Sequence, residues 1–149
     1  MTLEIIVTDR ESIEAGIIVR TRYVVISIGD AGRRSAKVRN QPGLVDVLYL
    51  KFDDGEPSKN MTLPENIKLM SPADAKAIWD FVARHEKAVG TIVVHCEQGM
   101  SRSPAVAAAI AKHFGIAEQS FWEQHQPNRF VYKLTLNNLG FSGATKRTR

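Results

Sequence analysis

The sequence predicts an α/β fold: a single domain with a central, largely parallel sheet flanked by helices. Three observations carry that reading. Short apolar runs rich in β-branched residues recur along the chain, each ended by turn formers. Helix signals with capping residues fall between and after them. No repeat, linker or low-complexity stretch divides the 149 residues, which suffice for one sizeable core at 44% hydrophobic composition.

The elements follow in order. "LEIIVTD" (3–9) and "YVVISIGD" (23–30) read as buried strands, with "RESIEAGI" (10–17) a short helix between them. "VDVLYLKFDD" (45–54) is a third strand, carrying Val45, Val47, Leu48, Leu50 and Phe52 and stopping at two aspartates. The polar "DGEPSKNMTLPEN" that follows is loop. A helix then starts at Ser71 as N-cap, with Pro72 at its first position and Asp74 in its first turn. Ala75, Ile78, Trp79, Val82 and Val89 give it an apolar face. "GTIVVHC" (90–96) is a fourth strand, continuous enough to be buried on both faces. "SPAVAAAIAKHFG" reads as a helix capped by Ser103, with Pro104 first and Gly115 as its stop. "EQSFWEQH" and a segment beginning at Pro127 supply two more helices.

Composition excludes several function classes. The net charge of +4 is concentrated: Arg33, Arg34, Lys37 and Arg39 lie in one loop, and Lys146, Arg147 and Arg149 in the tail "SGATKRTR". Without those residues the chain is slightly acidic, and no basic stripe with interleaved aromatics is present, so nucleic acid is not an expected partner. Residues 1–143 are expected to form the domain and 144–149 a flexible basic tail. No run reaches the ~18 apolar residues of a membrane span. The early acids argue against a signal peptide, and a single cysteine cannot form an internal disulfide, so a reducing, cytoplasmic compartment is expected. His85, His95, His113 and His125 lack metal-ligand spacing; no metal or other cofactor is expected.

The lone cysteine lies in "VVHCEQGMSRSPA" (93–105), between the fourth strand and the following helix. In open α/β sheets ligands bind beyond the carboxyl ends of strands, and there loop amides and a helix N-terminus favour an anion. Gly99 permits the tight backbone such a cradle requires, and Arg102 closes it with a planar fork suited to two phosphate oxygens. A thiol in that field is expected to ionise readily and to be nucleophilic. A buried inert thiol would need none of these neighbours.

His95, Cys96, Gly99, Arg102 and Ser103 spell His-Cys-x-x-Gly-x-x-Arg-Ser, which resembles the signature of the cysteine-dependent protein tyrosine phosphatases, in their dual-specificity or small bacterial branch. The order of elements over residues 20–115 is similar to that fold as well. The resemblance implies a phosphatase loop of Glu97, Gln98, Gly99, Met100, Ser101 and Arg102 that binds the phosphoryl group, with phosphate or sulfate as simple ligands. It implies Cys96 as the nucleophile of a phosphocysteine intermediate, Ser103 as the hydroxyl that eases departure of the sulfur, and His95 as a supporting residue that orients the loop. The resemblance also implies a general acid after the preceding strand, which the family places two residues past the last inward apolar position, here Phe52; this selects Asp54, with Asp53 the alternative. Asp74 is explained by its helix N-terminus, and Asn128 is expected to cap a helix, the alternative being a reach to the back of the loop.

The expected activity is hydrolysis of phosphotyrosine in proteins, with phosphoserine and phosphothreonine as further candidates. Glu97 and neutral residues stand where relatives acting on phosphoinositides carry lysines, and the long tyrosine-recognition segment of the larger enzymes is missing. The basic loop at Arg33, Arg34 and Lys37 is a candidate to attract acidic phosphosubstrates. The alternatives are a phosphoprotein-binding module without catalysis, or a sulfurtransferase or arsenate reductase on the same anion loop; a reductase would need further cysteines.

Overall fold

A computed structural model describes residues 3–58 and 63–139. Nine elements follow in chain order: β1 (Glu4–Asp9), α1 (Arg10–Ala15), β2 (Tyr23–Gly29), β3 (Leu44–Lys51), α2 (Pro72–His85), β4 (Thr91–Cys96), α3 (Arg102–His113), α4 (Gln119–Gln124) and α5 (Arg129–Asn137). The strands form one four-stranded sheet in the order β1-β4-β2-β3, and every pairing is parallel. This is the expected fold class. The 144–149 tail and the boundary at 143 lie outside the described residues.

The period-2 alternation of the two inner strands sorts the core into two layers. Val24, Ile26 and Ile28 of β2 and Ile92, Val94 and Cys96 of β4 face the larger layer, with Ile78, Trp79 and Val82 of α2, Val106 and Ile110 of α3, and Val131 of α5. Tyr23, Val25 and Val93 face the smaller one, closed by Ile13 of α1 and Ala36 of the loop after β2. β2 and β4 are buried along their whole length, whereas the two edge strands β1 and β3 are only partly so. The expectation of a buried strand thus holds for β2 and β4 but not for β1, whose apolar run lies at a sheet edge with a neighbour on one side only.

Helix starts follow local chemistry. Ser71 caps α2 in a complete capping box with Asp74: the Ser71 Oγ accepts from the Asp74 amide and the Asp74 carboxylate accepts from the Ser71 amide. α2 ends at His85, so Val89 is buried in the core beyond the helix. α3 begins two residues earlier than its sequence suggests. Arg102 is its first residue and Ser101 its N-cap, without a side-chain capping bond; Ser103 lies inside the first turn. Proline is tolerated throughout that turn because its missing N–H has no intrahelical partner to lose, so Pro104 marked the turn and not the first position. Likewise Asn128 caps α5, with Pro127 just outside it.

Candidate active site

All four strands being parallel, the connections after β2, β3 and β4 leave the sheet at the same edge. β4 lies beside β2, and β2 beside β3, so the three loops converge. A cavity of about 240 Å³ opens there, lined by Asp30 after β2, Asp54 after β3, and Cys96, Glu97, Gln98, Met100, Ser101 and Arg102 after β4.

The loop from 97 to 101 is pinned from outside by its carbonyls. Glu97 O accepts from the Arg10 amide (3.2 Å), Met100 O from the Gln126 amide (3.0 Å) and Ser101 O from the Asn128 amide (3.0 Å). Among the described residues, the amides of Gln98, Gly99, Met100 and Ser101 donate to no protein acceptor. Outward carbonyls with unengaged amides make a concavity suited to an anion. Gly99 lets the chain bend there: its φ is +69°, and a Cβ would stand 2.7 Å from the Thr8 carbonyl oxygen.

Cys96 is buried at the floor, and its Sγ lies 3.1 Å from Ser103 Oγ, projected from the first turn of α3. The Ser103 hydroxyl is therefore directed at the sulfur and does not cap the helix. Arg102 is 5% exposed, and its Nη1 donates to the Phe52 carbonyl (2.8 Å) and pairs with Asp30 Oδ1 (2.8 Å). Its buried Nε–H has no acceptor among the described residues. An unpaired buried guanidinium N–H is costly unless a ligand accepts from it, and an oxyanion does so with charge assistance.

The two neighbouring aspartates part company. Asp53 accepts from the amides of Ala31 (3.0 Å) and Lys68 (2.8 Å), tying the loops after β2 and β3 together. Asp54 lines the cavity; its Oδ1 accepts from Ser101 Oγ (2.9 Å) and Asn128 Nδ2 (2.8 Å), and Oδ2 has no partner among the described residues. Asn128 both caps α5, accepting from the Val131 amide, and reaches the site, as Nδ2 also donates to the Gly55 carbonyl.

His95 is 1% exposed and points away from the cavity floor, with Nε2 2.7 Å from Ser27 Oγ and Nδ1 3.2 Å from the Cys96 carbonyl. Burial lowers its pKa below the usual histidine value, outweighing the bond to the Cys96 carbonyl. It is a neutral pin between β2 and β4.

Glu97 turns its carboxylate to Arg10 (3.0 Å) and Arg33, and Arg10 also pairs with Glu14. The basic loop is thus partly committed within the protein: Arg33 neutralises a loop carboxylate. Gln98 and Met100 are exposed at the rim. Asp30 and Arg10 are the lining and supporting residues that sequence reasoning did not single out. Asp30 reads there as a turn former, and only the β4-β2 adjacency brings it to Arg102. No group of His, Cys, Asp and Glu suited to a metal occurs among the described residues.

A known structure shares this arrangement of strands and helices. The crystal structure of human DUSP28 matches with a TM-score of 0.53 at 15% identity, covering 92% of each chain. The chain has the fold of DUSP28. The human tyrosine phosphatase-like serine/threonine/tyrosine-interacting protein matches with a TM-score of 0.45 at 21% identity, covering 80% of this chain and 74% of that one. No protein-family model and no curated protein sequence matches the chain.

Proposed function

We propose that this chain is a phosphomonoester hydrolase that acts on phosphotyrosine in proteins, and on phosphoserine or phosphothreonine, through a phosphocysteine intermediate. The observation that carries the reading is the floor of the cavity. Cys96, hydrogen-bonded to Ser103, shares it with a buried Arg102 whose Nε–H has no acceptor among the described residues, under a loop whose amides are likewise unengaged there.

In this reading the phosphoryl oxygens take the loop amides and Arg102, which hold the group in line with Cys96 Sγ and stabilise its charge in the transition state. The Cys96 thiolate attacks phosphorus, the ester P–O bond breaks, and Asp54 gives its proton to the departing oxygen. Water then loses a proton to the Asp54 carboxylate and attacks phosphorus. The S–P bond breaks, and the Ser103 hydroxyl donates to the leaving sulfur. Phosphate and the free enzyme result. Glu97, held by two arginines, keeps the loop in place, and Met100 at the rim offers an apolar contact to an aryl group.

The test is hydrolysis of an aryl phosphate and a phosphotyrosine peptide by wild type, Cys96→Ser and Arg102→Lys. Turnover should vanish in the first variant while phosphate binding persists. It should fall severely in the second, because a point charge cannot replace two parallel N–H donors. Near-normal activity in either variant overturns the proposal. Phosphopeptide binding without turnover by wild type would make the chain a binding module instead.

A further inference from the structure

We propose that Asp30 is a positioning residue for Arg102: by accepting from Nη1 it fixes which edge of the guanidinium is offered to a phosphoryl group. The inference rests on the phosphate-binding reading of the cavity. A carboxylate at the mouth of an anion site opposes the ligand electrostatically, so its presence calls for a compensating role.

The geometry supplies one. Nη1 is held by two acceptors at 2.8 Å each, the Phe52 carbonyl and Asp30 Oδ1. Strand register builds that pair. The Phe52 amide donates to the Gly29 carbonyl (3.0 Å), which sets the residue after β3 beside the residue after β2. Asp30 is fixed in turn by its own carbonyl, which accepts from the Arg33 amide (3.1 Å). Its side chain makes no bond to that turn among the described residues, so the turn does not account for the carboxylate. With Nη1 saturated, the guanidinium cannot rotate about its stem without losing both bonds. The edge left is Nε with Nη2, the side-on pair that matches two oxygens of a phosphate, and the buried Nε–H has no acceptor among the described residues. Asp30 orients the group and touches no reacting atom.

Two variants of equal charge separate orientation from electrostatics. Asp30→Asn keeps an oxygen that accepts from Nη1, whereas Asp30→Ala removes it. Binding of inorganic phosphate is measured by calorimetry, alongside kcat and KM for an aryl phosphate. Thermal unfolding confirms that both variants fold. Asp30→Asn should bind phosphate at least as tightly as wild type. Asp30→Ala should bind it about tenfold or more weakly than Asp30→Asn, as expected for loss of one charge-assisted hydrogen bond. Its kcat/KM should fall by at least the same factor. Equal phosphate affinity in the two variants would overturn the proposal. If wild type binds phosphate but hydrolyses nothing, the hydrolase reading fails while the comparison of the two variants still decides the role of Asp30.

Discussion

Asp53 and Asp54 carry the same carboxyl group one position apart in the segment just after β3, yet they serve different tasks. Asp53 accepts two backbone amides and ties two loops together; Asp54 faces the cavity with one oxygen uncommitted among the described residues. Their substitutions should fail differently. Asp54→Asn should lower kcat on phosphotyrosine about a hundredfold, the upper range of a lost acid being larger still. It should do far less on a nitrophenyl ester, whose leaving group needs no proton, and leave the unfolding midpoint nearly unchanged. Asp53→Ala should cost about 2 kcal/mol of stability, as expected for bonds to a charged acceptor, with a smaller loss of turnover that is equal for both substrates. Steady-state kinetics on the two esters with urea titrations checks both. If Asp53→Ala is the more leaving-group-sensitive variant, the assignment of the acid to Asp54 fails.

At the scale of elements, α5 delivers Asn128 to the site. An N-cap needs an acceptor for the helix amide, and the acid at Asp54 receives a donor. An amide side chain provides both at once: Oδ1 to Val131 and Nδ2 to Asp54 and Gly55. Asn128→Asp should therefore keep the cap, with stability within about 0.5 kcal/mol of wild type, yet lower kcat on phosphotyrosine about tenfold by removing the donor and adding a like charge. Asn128→Ala should lose both cap and donor. An Asp variant with unchanged kinetics would show that the bond to Asp54 is idle. Two other helix starts show what sequence can carry. Ser71, Pro72 and Asp74 announce α2 because a cap is local chemistry. Ser103 misleads because both of its readings suit a serine at a helix start, and only the position of Cys96 Sγ decides between them. Strands and helices were legible in the apolar runs. The Asp30–Arg102 pair was not, since it depends on strand order, which no short pattern encodes.

For the whole molecule, the sheet that builds the site also carries its acid sensitivity. His95 joins β4 to β2 through Ser27, in the centre of the sheet, and burial holds its pKa below the ordinary value. The unfolded chain therefore takes up a proton near pH ~6.5 while the folded one resists. Stability present above that value is lost as pH falls toward the folded value, with a slope no steeper than about 1.4 kcal/mol per pH unit for one proton. The alkaline side is set elsewhere. Tyr132 of α5 is pushed up to about 12 by burial and by its bond to Glu118. Its contribution is complete below the usual tyrosine value of about 10 and is lost as pH rises toward 12. The two edges should separate by mutation. In urea unfolding across pH, His95→Asn should flatten the decline between pH 7 and 5 and leave the alkaline decline intact, whereas Tyr132→Phe should do the reverse. Because β4 ends at Cys96, the acid-side loss should be accompanied by faster alkylation of that thiol than global unfolding allows, as the strand end frays before the rest of the sheet. An acid limb that survives unchanged in His95→Asn would place the proton uptake on another group.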